Sequence, residues 1–400
     1  MHLTKLACPL TVAAFLLSIT VFSGVGTSRV ERGYDRIFAP YFTKVGVANW
    51  GAGGAYIAEW GRPTAAFTNP AGLSTERAII YAEAGKRFPA HWLGMKQGQW
   101  DNQFIVPGFL SVAKPFRNLS LSIGYMNYYD LSNEDSIEVT TSESPEGMPE
   151  YYHIENRLKI HTFFASGSYA IENMASVGLT IGLNCLKEHE WIAEVSADGH
   201  GLGIQLVAGG LLSPFEGLNI GGAFRYSTKI EYDMQYRTGA ADTFSTNPDI
   251  DSNLKPEPIP CEAKFPWSLQ VGASYRPIAD VKVLGMLDFQ KWSIVSDGYE
   301  DKIQVHLGTE ISSLEPFTFG FGFFTQEYPW KDKGRYFKGR DFDQKFISAG
   351  FRVKLWKSFE LSTSFVDSHL FPNKEVEKDL GKDAKQFHQS YIATGIRISL

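Results

Sequence analysis

Four hundred residues, 44% of them hydrophobic, with a formal net charge of −6, make a chain able to bury a large core and carrying no basic face for nucleic acid. Aromatic residues reach 14% and glycine 38 positions, a pairing found in β-rich proteins and in membrane barrels. Beyond the first residues no run approaches the ~18 apolar residues of a spanning helix, so any membrane crossing is made by strands.

The first predicted element is a leader. Lys5 supplies a positive start, Leu6 to Val21 is almost wholly apolar, and Gly24-Val25-Gly26 offers small residues for cleavage, so residues 1–26 read as a signal peptide. An uncleaved anchor is the alternative, because an apolar stretch of this length nearly spans a bilayer. Residues 27–75 follow, rich in Gly and Ala. Within them Gly51-Ala52-Gly53-Gly54 lacks the Lys-Ser/Thr of a phosphate loop and reads as packing glycine. The segment closes on Asn69-Pro70-Ala71-Gly72-Leu73, and Asn-Pro alone most often marks a turn before a strand.

From Thr75 onward the chain alternates with period 2. Val177, Leu179, Ile181 and Leu183 share one face of their strand, against Gly178, Thr180, Gly182 and Asn184. Ile303, Val305 and Leu307 oppose Gln304, His306 and Gly308 in the same way. Such segments number about fourteen, an even count as single-chain bacterial barrels show. They cover 76–87, 104–114, 118–130, 157–170, 175–187, 201–212, 217–228, 266–276, 281–292, 302–311, 317–327, 344–355, 359–368 and 387–400. Every second connection is a tight turn, as at Ser213-Pro214-Phe215-Glu216-Gly217 and Arg276-Pro277-Ile278-Ala279-Asp280. The others, such as 131–156, 188–200 and 229–265, are long and polar. Short periplasmic turns and long outer loops predict an all-β fold: a transmembrane antiparallel barrel over 76–400. A barrel this wide is not filled by its own side chains, so residues 27–75 are predicted to plug its lumen. The last strand places Ile392, Thr394, Ile396, Ile398 and Leu400 on one face and resembles the signal read by the barrel-assembly machinery, although Leu400 stands where an aromatic is usual.

The small-residue segment ending in Asn69-Pro70-Ala71 resembles the N-terminal plug of the outer-membrane long-chain fatty-acid transporter family (FadL type). Leu287-Asp288-Phe289-Gln290-Lys291-Trp292-Ser293 is similar to that family's late strand ending in Trp-Ser, and Thr318-Phe319-Gly320-Phe321-Gly322 to its Gly-rich strand. The resemblance implies an outer-membrane barrel in which Asn69, Pro70 and Ala71 lie beside a lateral opening and act as a gate.

Candidate ligand-binding residues come from the face pattern. Arg157, Lys159 and His161 alternate with Leu158, Ile160 and Thr162; if the apolar set faces lipid, three potential cations point inward. Arg225 is expected to do the same, and fixed cations in a low-dielectric cavity favour an anionic headgroup. Pairing with acidic loop or plug residues is the alternative. A symmetric hairpin across 293–301 would set Asp288 opposite His306. Cys185 and Cys261 remain after the leader and are read either as a disulfide or as two isolated thiols. His189 and His200 flank an acidic loop whose spacing fits no metal-ligand pattern.

These readings lead to a passive transporter of hydrophobic compounds, long-chain fatty acids by default, gated by the plug and needing no cofactor. Its partners would be hydrophobic small molecules, the lipid bilayer and the assembly machinery. The competing reading is a non-transporting barrel used as a secretion-associated scaffold or shuttle. An outer-membrane lipid hydrolase needs a Ser–His pair on the lipid face, and His161 and His306 are expected to point inward.

Overall fold

The computed structural model describes residues 30–31, 46–88, 104–139, 150–172, 174–192, 195–238, 257–327, 329, 331, 343–368, 370 and 390–400. The leader expectation lies outside these residues. Fourteen strands form the wall: β2 (Ile79–Phe88), β3 (Phe104–Phe116), β4 (Leu119–Val139), β5 (Glu150–Ile171), β6 (Ala175–Ile192), β7 (Val195–Phe215) and β8 (Leu218–Ser227) make the first half. The second half is β11 (Trp267–Ile278), β12 (Val281–Lys291), β13 (Lys302–Leu314), β14 (Phe317–Gln326), β15 (Gln344–Trp356), β16 (Phe359–Asp367) and β17 (Ser390–Ser399). Each is antiparallel to its neighbours. The circle closes where β17 pairs with β2, and β8 pairs with β11 across the long insertion between them. That insertion is a hairpin of β9 (Ile230–Thr238) and β10 (Ile259–Ala263); β9 pairs with the outer end of β7, and a two-residue strand β1 (Val30–Glu31) runs parallel to β10.

The wall shows the expected period. Val177, Leu179, Ile181, Leu183, Ile303, Leu307, Ile392 and Ile396 are exposed, while Thr180, Asn184, Gln304 and His306 are buried. An apolar belt outside and a small polar row inside are what a closed barrel in lipid requires, since closure leaves no backbone group unpaired in the bilayer. The fold is that of an outer-membrane barrel.

Several strands overrun the expected ends. β4 and β5 pair out to Val139 and Glu150, and β6 and β7 to Ile192 and Val195, where long loops were expected. These extensions stand past the lipid belt, where neither face needs to be apolar, so their sequence carries no alternation.

The lumen holds residues 46–75. The chain enters at Gly46, in the left-handed region at φ 87°, and turns into the short helix α1 (Val47–Gly51). Two single-turn 3₁₀ segments follow, Pro63–Ala66 and Pro70–Leu73. Glu83 of β2 receives the amides of Gly46 (3.0 Å) and Val47 (3.1 Å), satisfying donors that a helix N-terminus leaves open. Close approach to the wall depends on missing side chains: a Cβ at Gly308 would overlap the Ala52 carbonyl, and one at Gly322 the backbone of Gly53.

Candidate functional site

Two attachments fix the plug, and both lie toward the short-turn end of the barrel. The first is ionic. The Glu310 carboxylate on β13 accepts a hydrogen bond from Tyr56 Oη at 2.6 Å and lies 3.3 Å from Arg62, both on the plug. From the wall, Lys282 of β12 and Arg352 of β15 approach it to 3.3 Å each. Lys282 also meets plug Glu59 at 2.5 Å. Burial and the adjacent Glu310 carboxylate push the Tyr56 phenol well above its ordinary value, so it stays a neutral donor. Arg62 further covers the Tyr56 ring at 4.6 Å.

The second attachment is the Asn69-Pro70-Ala71 turn. Asn69 Oδ1 accepts from Ala71 N at 3.2 Å, closing the first turn of its 3₁₀ segment. Its Nδ2 donates to Ile57 O at 2.6 Å and to Gly210 O of β7 at 3.2 Å, joining plug to plug and plug to wall. Asn69 and Pro70 press on Gly209 of β7, and Pro70 and Ala71 on Gly178 of β6. Any larger residue at those two positions would displace the turn. Thr180 Oγ1 donates to Ala66 O beside it.

On the plug's other side, toward the long loops, lies a cavity of about 190 Å³. Its aromatic lining comes from Trp50, Tyr56 and Phe67 of the plug, Tyr128 and Phe324 of the wall. Arg225, Gln270, Asp288, Gln290, Gln304 and His306 supply polar groups. Arg225 donates to Phe67 O at 2.8 Å and stacks over the Phe67 ring at 4.3 Å, so its charge faces the lumen while its own plane is clamped. His306 donates through Nδ1 to Gly53 O at 2.7 Å and stacks on Phe324 at 5.5 Å.

Three expectations need correction. Arg157, Lys159 and His161 lie on the outer face of β5; the inward set is Leu158, Ile160, Thr162 and Phe164, with Phe164 against plug Phe67 at 6.1 Å. With the lumen filled by an apolar plug segment, apolar residues face both ways, and polarity stops reporting the inside. Lys159 lies 3.5 Å from Asp130, Arg157 pairs with Glu155, and His161 Nδ1 is 2.7 Å from Tyr125 Oη.

Second, Asp288 pairs with Gln304 across the β12–β13 ladder, and His306 with Met286. The register is shifted because the connection is asymmetric. A 3₁₀ turn at Trp292–Ile294 follows β12 at once, and Asp301 locks it through Ser293 N (3.0 Å) and Lys291 Nζ (2.6 Å). Third, Cys185 and Cys261 are both free thiols. Cys185 sits on the outward face of β6, and Cys261 is buried in β10, paired with Tyr232 of β9.

The latch residues Tyr56, Glu59, Arg62, Lys282, Glu310 and Arg352 were not singled out beforehand. A signal exists: charged residues within predicted spanning strands need partners, and Lys282, Glu310 and Arg352 fall inside the predicted strands 281–292, 302–311 and 344–355.

No family model matches the sequence, and no curated protein matches it. Solved structures do resemble it. A Pseudomonas aeruginosa FadL homologue aligns over 90% of this chain and 100% of its own, at 12% identity and a TM-score of 0.59. The Pseudomonas putida toluene transporter TodX aligns over 90% and 99%, at 11% and 0.62. The Ralstonia pickettii toluene transporter TbuX aligns over 90% and 99%, at 13% and 0.62. At these identities the likeness is one of fold.

Proposed function

We propose that the chain is a passive outer-membrane channel for hydrophobic compounds, with the Asn69-Pro70-Ala71 turn as its gate. The observation that carries this is the position of the turn. It stands between a partly aromatic cavity on the outer side and a stretch of wall whose inward positions Gly178 and Gly209 present no side chain to it. A compound that gains about 0.8 kcal/mol per buried methylene on leaving water would collect in the cavity, and movement of the turn would open its way on. The transporters of like fold, two of them described as toluene transporters, support the same reading. Long-chain fatty acids are the class that the sequence resemblance implies.

In this reading residues 1–26 are removed on export, 27–75 form the plug, and 76–400 the wall. Insertion proceeds through the barrel-assembly machinery reading β17, and the chain performs no covalent chemistry. Arg225 is the cation available to a carboxylate at the cavity. The test is uptake of a fluorescent hydrophobic probe into liposomes containing the purified protein, with Asn69→Ala and Pro70→Gly compared after heat-modifiable mobility has shown that each barrel is folded. Altered flux in folded variants supports the gate. Unchanged flux reduces the turn to a structural element, and no flux in the wild type rejects the channel.

A further inference from the structure

The outward face of β5, β6 and β7 changes chemistry where these strands leave the lipid belt. β6 exposes Val177, Leu179, Ile181 and Leu183 in turn, then half-buried Cys185, then Lys187. From Val177 to Lys187, at about 3.3 Å per residue and a tilt near 40°, the strand climbs about 25 Å along the barrel axis. That is the height of the apolar band of such barrels. Exposed Phe163 on β5 and Leu202 on β7 end the belt beside it. Lys187 therefore stands where lipid headgroups begin.

Its neighbours in the ladder do not balance its charge. Lys187 is in register with Lys159 of β5 on one side and with exposed His200 of β7 on the other. Like charges directly opposite across a ladder are destabilising. The carboxylate in this row is Asp130 of β4, in register with Lys159 and 3.5 Å from its Nζ. Asp130 is 2% exposed and also accepts from Asn127 Nδ2 at 2.9 Å, so it is spent beneath Lys159. Lys187 is exposed, and its side chain has no ion pair or hydrogen bond among the described residues. The next row up differs, because Arg157 pairs with Glu155, and His189 with Asp198 at 2.8 Å. Beyond β7, exposed Glu231 and Asp233 of β9 bound the cationic row.

We propose that this row of the outer wall binds a membrane lipid whose headgroup carries a phosphate monoester, held between Lys187 and Lys159. Side chains opposite one another on neighbouring strands start about 5 Å apart. A phosphate monoester brings close to two negative charges and three acceptor oxygens, so one group answers both ammonium ions. His200 closes the site from β7, and the acyl chains run down over Leu183, Leu202 and Phe163. A zwitterionic lipid lacks the surplus charge, and a free phosphate ion lacks the chains. The site depends on the barrel's place in the membrane and not on transport.

The experiment titrates the full-length protein in detergent with lipid A, which bears two phosphate monoesters, and separately with phosphatidylethanolamine, and reads bound lipid by native mass spectrometry. The wild type is expected to bind lipid A roughly tenfold more tightly or better, since two cations contribute. Lys187→Gln is expected to weaken lipid A about fivefold, the scale of one cation at an anionic lipid surface, and Lys187→Glu to weaken it further. Phosphatidylethanolamine binding is expected to stay unchanged in both. Heat-modifiable mobility checks that each variant is folded, as an exposed side chain without protein partners predicts. Lys357→Gln removes the same charge from the exposed turn between β15 and β16 and is expected to bind lipid A as the wild type does. Equal affinity of the wild type for the two lipids, undiminished lipid A binding by Lys187→Glu, or an equal loss in Lys357→Gln overturns the site.

Discussion

The plug is held by opposite physics along two stretches of wall. Against β12, β13 and β15 the backbone contact at Gly308 and Gly350 is reinforced by Glu310 and the three cations around it. Against β6 and β7 it is fastened by the absence of side chains, backbone lying on Gly178 and Gly209 with a few hydrogen bonds from Asn69 and to Ala66. Charges in a low-dielectric interior are directional and costly to separate. Glycine contact is close but without depth, since no knob must leave a hole before the turn slides. In the proposed channel the ionic side is the anchor and the side without charges is the part expected to move.

The largest effect is expected at the anchor. Glu310→Ala leaves Arg62 and Lys282 with Glu59 alone and Arg352 with Glu360 at 3.9 Å, and breaking such a buried network costs about 3–5 kcal/mol. The wall keeps its ladders, so the loss should appear as plug release: faster protease cleavage within 46–75 and higher probe flux from a barrel that still resists SDS. If flux rises no more than in the glycine-side variants below, the assignment of anchor and gate is reversed or empty.

Next come substitutions on the glycine side. Valine at Gly178 or Gly209 intrudes on Pro70 or Asn69, and overpacking of this kind costs about 1–3 kcal/mol. The turn is expected to be pushed inward and flux to rise, with the ionic side still protected from protease. Release of the whole plug by Gly209→Val would remove the distinction between the two sides. Asn69→Ala takes away the bonds to Ile57 O and Gly210 O, and about 1–2 kcal/mol is a fair expectation for two neutral hydrogen bonds. It should open the gate less than Gly209→Val, measured as initial probe flux on the same liposomes.

What the sequence made legible follows the same division. Strand number, tight turns and the outward face were readable wherever lipid imposes one polarity on one side, as at Val177 to Asn184. The Asn69-Pro70-Ala71 turn was readable because its residue types are restricted by a tight backbone. Legibility ended where lipid no longer enforces contrast. β4 and β5 continue past the belt unseen, and β5 has apolar Phe164 toward the plug and Phe163 toward lipid. The anchor was hidden for another reason: Tyr56, Arg62, Lys282, Glu310 and Arg352 come from distant parts of the chain, and no local pattern joins them. The Asp288 register failed on a single 3₁₀ turn, a feature that hairpin symmetry does not encode.

The smallest expected effect checks the face assignment of β5. Arg157 and Lys159 sit on the outside, Arg157 about half exposed at 49%, and exposed ion pairs contribute about 0–1 kcal/mol. Replacement of Arg157 by Gln should leave stability within error of the wild type, whereas Lys159→Gln takes the cation from buried Asp130 and costs stability; flux should be unchanged in both, for anionic and neutral probes alike. Arg225→Gln supplies the contrast, because Arg225 is clamped at the cavity between Phe67 O and the Phe67 ring. It should weaken retention of an anionic probe more than a neutral one. The pair of results orders the three positions by which side of the wall they face. A charge-selective loss in Lys159→Gln would return that residue to the lumen, and with it the inward reading of β5 that the Phe164–Phe67 contact contradicts.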